Sequence, residues 1–152
     1  MDDPSETWVF DVDGTVVDSL SGTSLRPHAR ALLTHLQDRD CRLVLWSAGG
    51  AAYARERAEQ HDLHRLVDAF HDKEGRDSAG RYVVHRFLDA LEGAVFVDDR
   101  PEDLPVGAEV VAVSPYLAPD PHDRGLHPAF RRAGLTERST PGPEVSGRRW
   151  PV

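Results

Sequence analysis

Lysine is almost missing from this chain. Of 18 basic residues, 17 are arginine and one, Lys73, is lysine. Against so strong a preference for arginine, the lone lysine stands out. Cysteine is equally scarce. Cys41 is the single example, which excludes an intrachain disulfide and a cysteine zinc cluster. Its expected place is a small buried position on a strand. No apolar run approaches the roughly 20 residues of a membrane span, so no membrane partner is expected. The acidic start, Met1–Glu6, has no signal-peptide core, and a cytoplasmic location is the expectation. The eight histidines are scattered, with no H-x-x-x-H zinc pair. Positive charge is in deficit overall. A net charge of −8 and a pI near 5.4 argue against non-specific adhesion to nucleic acid or anionic membrane. A local basic groove is still compatible with those values.

What is present is enough for one domain with a real core: 152 residues, 39% of them hydrophobic. The chain is organised around Trp8–Thr15, W-V-F-D-V-D-G-T. An apolar run ending in acids fits a buried parallel strand that delivers side chains to the carboxyl edge of a sheet. Alternation puts Val12 on one side and Asp11 and Asp13 on the other. Two like charges so close repel, and a cation keeps both ionised. Hard oxygen ligands with a position left open for phosphate suit Mg²⁺.

In chain order, residues 1–6 read as a flexible leader and 7–134 as the folded domain. Residues 135–152, rich in Pro, Gly, Ser and Arg, read as a disordered tail. After a strand at Thr7–Phe10, Gly14–Leu25 reads as a loop or small flap. Pro27 sits in the first turn of a helix, whose inner face is Ala29, Leu32, Leu33 and Leu36. Cys41–Trp46 is a second strand, followed at once by Ser47-Ala48-Gly49-Gly50 and a helix over Ala51–His61. Leu63–Phe70 continues as helix, though the pattern leaves room for a short strand near Val67–His71. His71–Gly80 is a polar loop holding Lys73. Tyr82–Glu92 is helical, ended by Gly93. Ala94–Val97 and Glu109–Val113 are further strands, and His127–Ala133 a short helix. Strands alternating with helices imply a parallel α/β sheet flanked by helices.

Four stations then fall at strand ends or in the loops after them: Asp11 and Asp13, Ser47, Lys73, and Asp98 with Asp99 in V-F-V-D-D-R-P-E-D. In an open parallel sheet such positions converge on one crevice at the carboxyl edge. The order and residue types resemble the four motifs of the haloacid dehalogenase (HAD) superfamily, beginning with D-x-D-G-T, and the resemblance covers Thr7 to Val113. It implies a single HAD-like Rossmannoid domain. With only Gly14–Leu25 between the first motif and the first helix, it implies no large cap domain and an open active site.

The resemblance also implies roles. Asp11 would be the nucleophile of a phosphomonoester hydrolase working through an aspartyl-phosphate. Asp13 would be the general acid/base. Ser47, with the backbone of Ala48 and Gly49, would seat a phosphate oxygen. Lys73 would neutralise charge on the phosphoryl group and Asp11, with Arg81 and Arg86 as rivals for that place. Mg²⁺ would be held by Asp11, Asp99 and the main-chain carbonyl of Asp13, with Asp98 as support or an added ligand.

Two branches of the superfamily are similar. D-V-D-G-T and V-D-D-R-P-E-D are near the phosphatase domain of polynucleotide kinase-phosphatases. L-R-P-H-A-R-A-L-L and L-V-L-W-S-A-G-G-A-A-Y-A are similar to the phosphoprotein phosphatases of the RNA polymerase tail. The phosphorylated substrate is thus a small molecule or nucleotide, a nucleic-acid end, or a phosphoprotein. A non-catalytic binding or regulatory module of the same fold is the reading from another class. A monomer or a homodimer fits the sequence.

Overall fold

The computed structural model describes residues 6–135. Apart from Glu6 and Leu135, the expected leader and tail lie outside the described residues. The apolar run at the head of the chain becomes β1, Thr7–Asp11. It pairs in parallel with β2, Arg42–Ser47, on one side and with β4, Ala94–Asp98, on the other. β3, Ala69–Asp72, and β5, Glu109–Ala112, complete a five-stranded parallel sheet in the order β3-β2-β1-β4-β5. The three central strands are buried along nearly their whole length, as a sheet covered on both faces requires.

Among the described residues, helices α1 (Ala29–Asp38), α2 (Ala51–Gln60) and α3 (His127–Ala133) contribute to one core. There Leu32, Leu33 and Leu36 of α1, Ala54 and Ala58 of α2, and Phe130 of α3 meet Trp8, Phe10, Leu43, Leu45, Val95 and Val97. Burying each α1 leucine stabilises the fold by roughly 2 kcal/mol relative to leaving it exposed. α1 begins at Ala29, after His28 in the left-handed region at φ 75°. Pro27 therefore precedes the helix instead of occupying its first turn.

The opposite face is built differently. Val9, Val44, Trp46, Ala94 and Phe96 form its core, under Leu104 and the half-buried Tyr82, Val84, Phe87, Leu88 and Leu91. The expected helix over Tyr82–Glu92 is not there. The segment runs as turns, with one helical contact from Leu88 N to Val84 O (3.0 Å). Its backbone is committed elsewhere: Tyr82 N bonds Asp103 O (2.9 Å) and Val83 N bonds Gly75 O (3.2 Å). Tyr82 and Phe87 both pack on the Trp46 ring, at 5.6 and 5.7 Å between centroids. Two adjacent β-branched valines in the would-be first turn weaken the helical alternative. The helix expected to continue over Leu63–Phe70 is likewise replaced by a turn leading into β3, the strand for which the pattern left room.

Four of the five strands end on a polar side chain at the same edge: Asp11 on β1, Ser47 on β2, Asp72 on β3 and Asp98 on β4. Parallel pairing in register brings these ends together.

Candidate active site

Asp11 lies at the centre of the carboxyl edge and is 7% exposed. Lys73 Nζ donates to its Oδ1 at 2.7 Å, and Thr15 Oγ1 donates to its Oδ2 at 2.9 Å. Lys73 also reaches Asp98 Oδ2 at 3.2 Å, so one ammonium bridges two buried carboxylates. The ammonium sits among aromatic rings, 5.0 Å from the Trp46 centroid and 5.3 Å from that of Tyr82, where ring quadrupoles favour a cation. Asp98 is further tied by the Arg100 backbone N–H on its Oδ1, at 2.8 Å. Arg81 and Arg86 turn elsewhere: Arg81 donates to Leu104 O (2.8 Å), and Arg86 pairs on the surface with Glu74 (2.7 Å).

The electrostatics of the cluster follow from burial. Desolvation, reinforced by the Asp98 charge and opposed by Lys73, pushes the Asp11 carboxyl up to about 8. Asp98 is also raised, by burial against the pull of Lys73. Burial by itself lowers the Lys73 pKa, but Asp11 and Asp98 outweigh it, and the pKa lies above the ordinary lysine value.

Asp99 completes the cluster. Asp11, Asp98 and Asp99 each place a carboxylate oxygen within 4.8 Å of the others. Three clustered carboxylates with a single ammonium, on Asp11 and Asp98, leave an excess of negative charge. Their hard oxygen donors fit a divalent cation such as Mg²⁺. The local backbone is shaped for this closeness. Gly14 has φ 85°, and a Cβ there would lie 2.6 Å from Asp99 Oδ2, so only glycine lets the first motif turn beside Asp99. Val12 O accepts the N–H groups of Val16 (2.9 Å) and Val17 (3.1 Å), which curls the chain directly after β1.

Asp13 is exposed at that curl, and Tyr53 Oη donates to its Oδ1 at 2.6 Å. Burial, then the bond and charge of Asp13, push the Tyr53 phenol up to about 12. Ser47 is buried at the end of β2, with its Oγ accepting from Gly49 N at 3.0 Å. The anion seat expected at Ala48 and Gly49 is partly filled by the chain itself, since the Gly49 N–H is taken by Ser47 Oγ. Gly50 N bonds Ser47 O (3.1 Å), and the Ala51 N–H donates to the Asp72 carboxylate.

Behind the site lies a residue that local pattern did not single out. Arg26 is 1% exposed and pairs with Asp123 through Nε (2.6 Å). Its Nη2 donates to Ser114 O at 2.7 Å, and its Nη1 lies 3.4 Å from both Gly14 O and Thr15 O. This guanidinium ties the C-terminal part of the domain to the backbone of the first motif. Gly125 leaves room for it, since a Cβ there would fall 1.8 Å from Arg26 Nη2.

Taken together, Asp11, Ser47, Lys73, Asp98 and Asp99 converge at one sheet edge, with Asp13 on the adjoining curl. Between β1 and α1 the chain has only the small flap, in which Val17 bridges Leu25, and no cap domain interrupts the described residues. A capless HAD fold carrying these acids defines the class, a phosphatase that hydrolyses phosphoric monoesters. Residues 6–133 match the family model of the NLI interacting factor-like phosphatases, and the chain belongs to that family. Among solved structures, the chain is similar to a conserved protein of Bacteroides thetaiotaomicron. The identity is 24%, the TM-score 0.48, and the match covers 87% of this chain and 93% of that one. No curated protein matches the chain. Among the described residues, no helix is long and apolar enough to cross a membrane.

Proposed function

We propose that this phosphatase is Mg²⁺-dependent and works through an aspartyl-phosphate on Asp11. The observation that carries the reading is the Lys73 bridge between Asp11 and Asp98, set beside the three-carboxylate cluster. Asp11, Asp98 and Asp99, with the main-chain carbonyl of Asp13, would hold the metal. The metal would screen the negative nucleophile from the negative phosphoryl group and stabilise charge on its oxygens.

The remaining steps belong to the chain. Asp11 Oδ attacks phosphorus while Asp13 protonates the departing oxygen. Asp13 then takes a proton from the water that attacks the acyl phosphate, and inorganic phosphate leaves with Asp11 restored. Thr15 and Lys73 orient the Asp11 carboxylate through its two oxygens. Lys73 and Ser47 stabilise the phosphoryl oxygens in the transition state.

For the substrate, the family match favours a phosphoprotein side chain over a nucleic-acid end, and the net charge of −8 agrees. The open edge, without a cap, suits a macromolecule. The second reading, a nucleotide or polynucleotide phosphatase, draws on D-V-D-G-T and V-D-D-R-P-E-D. The test is hydrolysis of p-nitrophenyl phosphate with Mg²⁺, with EDTA, and by Asp11→Asn. Phosphopeptides, nucleotides and 3′-phosphorylated oligonucleotides follow. Turnover that requires both Mg²⁺ and Asp11 is the expected result. Turnover that survives Asp11→Asn overturns the nucleophile assignment. A folded protein with no turnover on any substrate favours the non-catalytic module.

A further inference from the structure

Asp13 stands on an exposed curl beyond the end of β1. Nothing in its burial selects one side-chain orientation, and an exposed carboxylate is free to change rotamer. Proton transfer, by contrast, needs the carboxyl within hydrogen-bond reach of the departing oxygen. The bond from Tyr53 Oη to Asp13 Oδ1, 2.6 Å, supplies the missing constraint. It is as short as charge-assisted O–H···O bonds are.

Tyr53 is itself closely held. It projects from the first turn of α2. The Arg57 guanidinium lies 5.1 Å from its ring centroid, and Arg57 Nη1 donates to Gly22 O at 3.2 Å, joining the flap to the helix. Two glycines make the slot. A Cβ on Gly49 would come within 2.9 Å of the Tyr53 ring, and one on Gly22 within 2.6 Å of its hydroxyl. The phenol is thus clamped between the flap and α2, and the clamp ends on Asp13.

We propose that Tyr53 is a positioning residue, which anchors Oδ1 of Asp13 so that Oδ2 is presented to the leaving oxygen. The proposal rests on the reading of Asp13 as the general acid/base. In the first step the proton passes from Asp13 Oδ2 to the leaving oxygen as the P–O bond breaks and the Asp11–phosphorus bond forms. In the second, the attacking water gives its proton to Asp13 as the Asp11–phosphorus bond breaks. Tyr53 keeps its own proton throughout.

The test compares two leaving groups of similar size. p-Nitrophenolate departs without help, whereas the alkoxide of benzyl phosphate has to be protonated as it leaves. kcat/KM reports steps up to phosphorylation of Asp11, so the ratio of kcat/KM for p-nitrophenyl phosphate over benzyl phosphate isolates acid assistance. Tyr53→Phe keeps the ring in its slot and removes only the hydroxyl. The ratio is expected to rise about tenfold in Tyr53→Phe, part of the ~10²–10⁴ that a general acid contributes. Asp13→Asn is expected to raise it at least as far. A ratio that stays within about twofold of the parent in Tyr53→Phe, while Asp13→Asn raises it, overturns the positioning role alone. An equal fall on both substrates in Tyr53→Phe also overturns it and assigns Tyr53 to general structure. A ratio unmoved by Asp13→Asn refutes the acid/base reading and the inference with it.

Discussion

Binding of the proposed Mg²⁺ should expel a proton. Asp11, Asp98 and Asp99 cluster together with one ammonium, Lys73, on the first two, and burial pushes the Asp11 carboxyl up to about 8. A group titrating one unit above the pH is about nine-tenths protonated, so at pH 7 the metal-free site holds close to one proton, shared by the Asp11–Asp98 pair. A cation seated on those oxygens must displace it. The expected release is about one proton per Mg²⁺ at pH 7. Apparent affinity should rise about tenfold per pH unit up to about pH 8, then level off. Calorimetric titration in two buffers of different ionisation enthalpy counts the protons directly. Stability of the metal-free protein follows the same linkage. The folded pKa of Asp11 lies above its ordinary 3.8, so between those values the folded state binds more protons than the unfolded one. Stability is therefore lost as pH rises through that window, and Mg²⁺ should restore it. Equal binding enthalpies in the two buffers, or undiminished proton release in Asp11→Asn, would refute the reasoning.

Four further outcomes follow from the geometry. Lys73→Met should lower kcat/KM by more than about 100-fold, since it removes a charge-assisted contact to the nucleophile. Arg86→Ala, on the surface with Glu74, should change kcat/KM for p-nitrophenyl phosphate by less than about threefold, consistent with the small value of exposed pairs. Gly14→Ala should cost about 1–2 kcal/mol in urea unfolding, from the left-handed backbone, and should also weaken Mg²⁺ binding in calorimetry because its Cβ invades Asp99. Asp123→Asn leaves the buried Arg26 charge uncompensated and should cost roughly 3–5 kcal/mol in the same unfolding assay, with Arg26→Met/Asp123→Leu losing less than the sum of the single changes.

Much of this arrangement is legible from the chain alone, because the residues that build it announce themselves locally. Trp8–Asp11 shows both its burial and the point where burial ends. Leu32, Leu33 and Leu36 show the inner face of α1, and His127–Ala133 is α3 to the residue. Lys73 stands out by rarity, and the structure places it on Asp11 and Asp98. What is not legible depends on distant partners. Phe87, Leu88 and Leu91 recur at a helical spacing, yet the same spacing serves a segment pressed onto the second face of the sheet. Arg26 resembles the start of a helix, and its partner Asp123 lies 97 positions away, beyond any local pattern. Tyr53 passes for an ordinary helix residue. A signal was present in Gly49 and Gly22, small residues on either side of a bulky phenol, but only the fold brings Gly22 against α2.

The most direct test of the account is to trap the phosphoryl-enzyme. Acid quenching during turnover, reduction of the acyl phosphate with borohydride and peptide mapping should convert Asp11, and no other aspartate, to homoserine. Conversion at a different aspartate, or its absence during sustained turnover, would contradict the covalent mechanism on Asp11.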